Sequence, residues 1–117
     1  MRFLVVEDDE VVAEVLRQML EDLGHEVVGT AGSATLAYGM IEALRPDALL
    51  VDVELDGIGS GIDVASYGYV RWGIRSIFVS GHIDGWLMKE MAAVRPYAFI
   101  AKPFMPEKLA DTVKRIA

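Results

Sequence analysis

The chain has 117 residues, 53% of them hydrophobic and 25% charged, with a formal net charge of −7; this suits one globular domain that hides about two-thirds of its unfolded surface, and excludes a disordered chain. There is no Cys, which excludes disulfides, thiolate metal sites and cysteine nucleophiles. The acidic balance argues against direct nucleic-acid binding, which needs a basic footprint, and points to proteins or cations as partners.

No apolar run approaches the length of a membrane span, and Phe3 to Val6 is too short for a signal-peptide core. The expectation is a cytoplasmic protein without a membrane partner, folded as a single domain over residues 1–117 with nothing left over for an output domain. Phe3 to Val6 reads as the first strand, ending in Glu7-Asp8-Asp9-Glu10. A helix follows, with Val11, Val12, Val15, Leu16, Met19, Leu20 and Leu23 at three- and four-residue spacing and Gly24 as its C-terminal cap. Glu26 to Ala31 is the second strand. Ser33 caps a second helix with Leu36, Ala37, Met40, Ile41 and Leu44 on its apolar face, and Arg45-Pro46 stops it.

The unbroken apolar run from Ala48 to Val51 suits a strand buried on both faces, with Asp52 at its tip. Gly57 to Gly61 reads as a flexible loop, and Asp63 to Trp72 as a third helix weakened by Gly68. Ser76 to Val79 is the fourth strand, ending at Ser80-Gly81-His82. A fourth helix from Asp84 to Val94 turns Leu87, Met91 and Val94 inward and ends at Arg95-Pro96. Tyr97 to Ala101 is the fifth strand, ending at Lys102-Pro103-Phe104, and Pro106 opens a last helix with Leu109, Val113 and Ile116 inward. Strands alternating with helices in this way predict an α/β fold, a doubly wound (βα)5 three-layer sandwich with a parallel sheet.

In open α/β sheets the functional crevice lies outside the carboxyl ends of the strands. Glu7, Asp8, Asp52, Ser80 and Lys102 all belong to such ends. If the strands carrying Asp52 and Glu7-Asp8 are neighbours, ~4.8 Å apart, their carboxylates crowd into one cleft and call for a cation. Oxygen ligands with room for water favour Mg²⁺ over Ca²⁺. A carboxylate beside a cation, a hydroxyl and a lysine can accept a phosphoryl group as an aspartyl phosphate. Asp9 and Glu10 are read as no more than an acidic helix start.

Leu4-Val5-Val6-Glu7-Asp8, Leu49-Leu50-Val51-Asp52, Val79-Ser80-Gly81 and Lys102-Pro103-Phe104, in this order and spacing, resemble the receiver domain of two-component response regulators (CheY-like) over nearly the whole chain. The resemblance implies a flavodoxin-like sheet of order 2-1-3-4-5. It also implies Asp52 as phospho-acceptor, Glu7 and Asp8 with Asp52 as Mg²⁺ ligands, and Glu54 supplying its backbone carbonyl to the metal. Ser80 and Lys102 would contact the phosphoryl group, and Phe99 stands at the aromatic switch position. The donor would be a sensor histidine kinase or a phosphotransfer protein, and the reader a downstream protein target or a fused output domain, served by a monomer or by a dimer through the face of the fourth and fifth helices.

Phosphorylation adds roughly −1.5 to −2 charges. The expected response is that Ser80 moves toward the group, Phe99 turns inward, and the surface of helix 4, strand 5 and helix 5 changes, with Trp86 and Met88 as candidates for the partner surface. Glu54 and His82 flank the acceptor from two loops and are candidates for setting the phospho-lifetime. Three departures from the family pattern stand out: Glu7 replaces the commoner Asp, Gly81 replaces the commoner Ala and leaves the site more open to water, and Asp56 stands where Pro is usual.

Competing readings are a haloacid-dehalogenase-like Mg²⁺-dependent phosphatase, a flavodoxin-like cofactor binder, and a receiver-like module that acts without phosphorylation. The first shares the Asp, Mg²⁺, Ser/Thr and Lys chemistry, but its motif follows the first strand. The second would set a phosphate against Glu7-Asp8-Asp9-Glu10.

Overall fold

The computed structural model describes residues 1–55 and 60–116. Among these, strands and helices alternate: β1 (Arg2–Val6), α1 (Glu10–Asp22), β2 (Glu26–Ala31), α2 (Ala34–Leu44), β3 (Ala48–Asp52), α3 (Gly61–Trp72), β4 (Arg75–Ser80), α4 (Gly85–Met91), a 3₁₀ turn (Ala92–Val94), β5 (Ala98–Ala101) and α5 (Pro106–Ile116). All neighbouring strands pair in parallel, in the order β2-β1-β3-β4-β5. Parallel neighbours need crossovers, and the helices supply them while covering both faces. No helix among the described residues is long and apolar enough to cross a membrane.

Alternation along the strands divides the core in two. Leu4, Val6, Leu49, Val51 and Phe78 face α2, α3 and α4, where they meet Ala37, Ile41, Val64 and Leu87. Phe3, Val5, Leu50, Ile77, Val79 and Ile100 face α1 and α5, where they meet Leu16, Leu20, Leu109 and Val113. Strand β3 is buried along its whole length, as its unbroken apolar run predicts.

Three expectations need correction. The third helix begins at Gly61, two residues before the expected Asp63, because Ser60 and Asp63 form a capping box: Asp63 N donates to Ser60 Oγ and Ser60 N to Asp63 Oδ2, each at 3.2 Å. Ser60 and Gly61 are thus helix start and not loop; Asp56 and residues 57–59 lie outside the described residues. Nor does Gly68 interrupt α3. It is buried, and a Cβ there would stand 3.2 Å from Leu49 Cδ1, so the missing side chain lets the helix close on the sheet. Finally, Val11, Val15 and Leu36 are exposed and only part of each predicted apolar stripe is inward; Ala13, Leu16 and Leu20 of α1 do the packing.

Candidate functional site

Register builds the site. Val6 pairs with Val51, so Glu7 leaves β1 beside Asp52, the last residue of β3. Asp52 pairs with Val79 and Ser80 with Ala101, which brings Ser80 and Lys102 to the same edge. The ladder continues past the strand ends through Glu7 N to Ala31 O (3.0 Å), Val53 N to Val79 O (3.0 Å) and Lys102 N to Ser80 O (2.8 Å). The backbone at each tip is therefore fixed by hydrogen bonds, as a preorganised site requires.

Asp52 is 5% exposed and Glu7 4%. Asp52 Oδ1 accepts from Glu54 N at 3.0 Å, and Oδ2 stands 3.1 Å from Lys102 Nζ. Lys102 Nζ also reaches Glu7 Oε1 at 3.4 Å. Ligand oxygens of Glu7, Asp8 and Asp52 lie within 4.8 Å of one another. A groove lined by Glu7, Asp8, Thr30 and Ser33 opens beside them. Asp9 caps α1, its Oδ1 accepting from Val11 N (2.9 Å) and Val12 N (3.2 Å), which matches its reading as a helix start.

Burial, then a side-chain hydrogen bond with Asp8 and the bond and charge of Asp52, push the Glu7 carboxyl up from 4.5 to about 7, against a backbone bond from Asp9. Crowding thus disfavours ionising all three carboxyls together, and their donors are all hard oxygens; both properties fit a divalent cation of the Mg²⁺ class. For Lys102, burial acts to lower the ammonium pKa, but the hydrogen bond and charge of Asp52, with Glu7 behind them, raise it overall.

Ser80 is completely buried. Its Oγ stands 2.6 Å from Glu54 Oε1 and 2.9 Å from the His82 carbonyl, and it accepts from His82 N at 3.0 Å. Glu54 Oε1 also accepts from Gly81 N at 3.1 Å. The carboxylate of Glu54, expected to matter only for its carbonyl or for lifetime, is therefore bound to Ser80. Gly81 is covered by it from this side. His82 turns its imidazole to Asp84, with Nε2 2.9 Å from Oδ2, and is largely exposed; what it brings to the site is its backbone. Phe99 is half-buried and stacks on Phe78, ring centroids 5.3 Å apart at 17°. Trp86 and Met88 are exposed on α4, whose buried residues are Leu87 and Met91.

One residue was missed by sequence reasoning. A Cβ on Gly61 would stand 2.1 Å from the Asp52 carbonyl oxygen and 2.8 Å from Val51 Cγ1. Only glycine lets the start of α3 lie against the acceptor strand. The signal was legible in Ser60-x-x-Asp63, which marks a helix start and places Gly61 in its first turn.

Comparison with known proteins agrees with this geometry. The family model of the response regulator receiver domain matches residues 3–114. The chain is 30% identical over 113 residues to the phyllosphere-induced regulator PhyR of Methylorubrum extorquens, covering 96% of this chain and 42% of PhyR. It is 35% identical over 116 residues to the transcriptional regulatory protein PdtaR of Mycobacterium tuberculosis, covering 97% and 55%. The chain therefore spans about half the length of these curated relatives. The crystal structure of the signal receiver domain of a modulated diguanylate cyclase from Desulfovibrio desulfuricans superposes with a TM-score of 0.85 at 30% identity, covering 97% of this chain and 90% of that one. The phosphatase reading, whose acceptor follows the first strand, is not favoured, and neither is the cofactor binder. From the order of the sheet, the strand-tip residues and the family match, the chain belongs to the response regulator receiver domain family.

Proposed function

We propose that residues 1–117 form one receiver domain that works as the phospho-accepting switch of a two-component phosphorelay, with Asp52 as acceptor and a sensor histidine kinase or phosphotransfer protein as donor. The observation that carries this reading is a buried Asp52 with one oxygen held by a backbone amide and the other 3.1 Å from Lys102, beside Glu7 and Asp8. A carboxylate oxygen attacks phosphorus of the donor phosphohistidine. The new P–O bond forms as the P–N bond breaks, and the electron pair leaves with the imidazole.

Glu7, Asp8, Asp52 and the Glu54 carbonyl would hold Mg²⁺, which when bound supplies positive charge against the transferred group. Lys102 neutralises phosphoryl charge from the β5 side, and Ser80 donates its hydroxyl to a phosphoryl oxygen. Catalysis is confined to the self-catalysed gain and loss of the phosphoryl group on Asp52. Glu54 through its carboxylate, and His82 through its backbone contacts to Ser80, are read as tuning its lifetime.

The readout is the surface of α4, β5 and α5, with Phe99 on β5 and with Trp86 and Met88 exposed on α4, offered to a protein partner, an output domain or a second copy of the chain in the cytoplasm. PdtaR is named a transcriptional regulatory protein; the reading that this domain does not itself touch nucleic acid rests on its charge of −7.

Intact-mass measurement after incubation with acetyl phosphate tests the proposal. Wild type with Mg²⁺ should gain one phosphoryl group, and Asp52→Asn or removal of Mg²⁺ should abolish the gain. Uptake that persists in Asp52→Asn would refute the assignment.

A further inference from the structure

We infer that Glu54 is a built-in competitor of the phosphoryl group: before phosphorylation its carboxylate occupies the Ser80 hydroxyl and the Gly81 amide, the donor pair that a phosphoryl group on Asp52 would take. The inference rests on the receiver reading and adds to it a residue that sets how readily the acceptor is charged.

Glu54 is tied to the acceptor at its own backbone, N to Asp52 Oδ1 at 3.0 Å, while its side chain crosses to the tip of β4. There Oε1 meets Ser80 Oγ at 2.6 Å and Gly81 N at 3.1 Å. Because Asp52 pairs with Val79, Ser80 and Gly81 lie immediately beyond the acceptor on the neighbouring strand. Donors that suit one anionic oxygen suit another, so carboxylate and phosphoryl contend for the same two protons. Both cannot stay, since the incoming group brings roughly −1.5 to −2 charges against a carboxylate already there.

Exchange is built to be easy. Ser80 is buried and has a single hydroxyl proton, which a carboxylate holds better than a carbonyl. Its second acceptor, the His82 carbonyl, waits at 2.9 Å. When the carboxylate leaves, the hydroxyl is therefore not stranded without a partner. Glu54 itself is exposed, so its side chain swings into water without burying charge.

The test uses the full chain as wild type, Glu54→Gln, Glu54→Ala, Ser80→Ala and the Glu54→Ala/Ser80→Ala double variant. In metal-free protein, the Gly81 amide proton should move upfield in Glu54→Ala by loss of its carboxylate partner. With Mg²⁺ and acetyl phosphate, phosphoryl uptake followed by intact mass should be about fivefold faster in Glu54→Ala, the change expected for one partly exposed hydrogen bond, and less accelerated in Glu54→Gln. In the Ser80→Ala background the gain should shrink toward unity. An unmoved Gly81 amide, equal rates in wild type and Glu54→Ala, or the same gain with and without Ser80 would each overturn the inference, the last by reducing Glu54 to a general charge effect. Uptake that is absent from every variant or indifferent to Asp52→Asn would instead bring down the receiver reading, and the inference with it.

Discussion

Glu7 meets Asp8 and Asp52 where burial leaves little water to share the charge, and its carboxyl is held up near 7 for that reason. A carboxyl whose folded pKa stands above its unfolded value of 4.5 stabilises the fold fully below pH 4.5, and that contribution is lost as pH rises through about 7. Metal-free protein should therefore lose stability across this window, and Glu7→Gln, which cannot titrate, should lose much of that slope in denaturant titrations run from pH 4.5 to 7.5. Millimolar Mg²⁺ should flatten the wild-type slope, because a bound cation takes over from the proton. At this scale the sequence spoke clearly where a polar residue interrupts an apolar run: Glu7, Asp52, Ser80 and Lys102 each end or follow a strand, and the edge they share follows from strand direction alone. The Glu54 side chain was not legible, because its choice of Ser80 depends on where the tip of β4 comes to lie, and no spacing along the chain reports that.

Among the elements, α3 shows how a helix start can control a neighbouring strand. Gly61 and the Asp52 carbonyl are both backbone, so neither can give way to a new methyl group 2.1 Å from the oxygen. Gly61→Ala should cost about 1–3 kcal/mol, as overpacking does, and should slow phosphoryl uptake in the same intact-mass assay by moving Asp52. A substitution at Gly73, which has open space around it but a φ of 67°, should change stability and leave uptake per folded molecule unaltered. The extent of α3 was misread because glycine was weighed as a helix breaker on propensity; Gly68 and Gly61 are there for contact distance, which propensity does not contain. The exposed Val11 and Val15 are the converse case. Period 3.6 puts them near the apolar stripe of α1, but Ala13, Leu16 and Leu20 fill the part of that stripe that is buried, and Val11 and Val15 stay exposed.

In the whole molecule, one sheet keeps two packed cores apart. Ile41 belongs to the core under α2, α3 and α4, and Ile100 to the core under α1 and α5. Ile41→Val and Ile100→Val should each cost about 0.5–1.5 kcal/mol, and the double variant should equal their sum to within about 0.5 kcal/mol in urea unfolding, as for sites that share no partner. A large deviation would mean that the cores relax together. The alternation of strands and helices made the layered architecture readable, since each apolar run has the length and period of its element. Strand order was not in the pattern; it came with the family resemblance, because several orders satisfy the same alternation and the choice is made by packing between distant segments.

Asp52 extends the row of Leu50 on one face of the sheet, and Ser80 the row of Phe78 on the other, with Glu54 joined to Asp52 through its backbone and to Ser80 through its side chain. Each compartment can accumulate its own conservative replacements over time without retuning its counterpart, so long as these strand tips are kept. Variation among descendants of this chain should accordingly fall into two independent sets of co-changing core positions, with the residues at the carboxyl edge standing outside both.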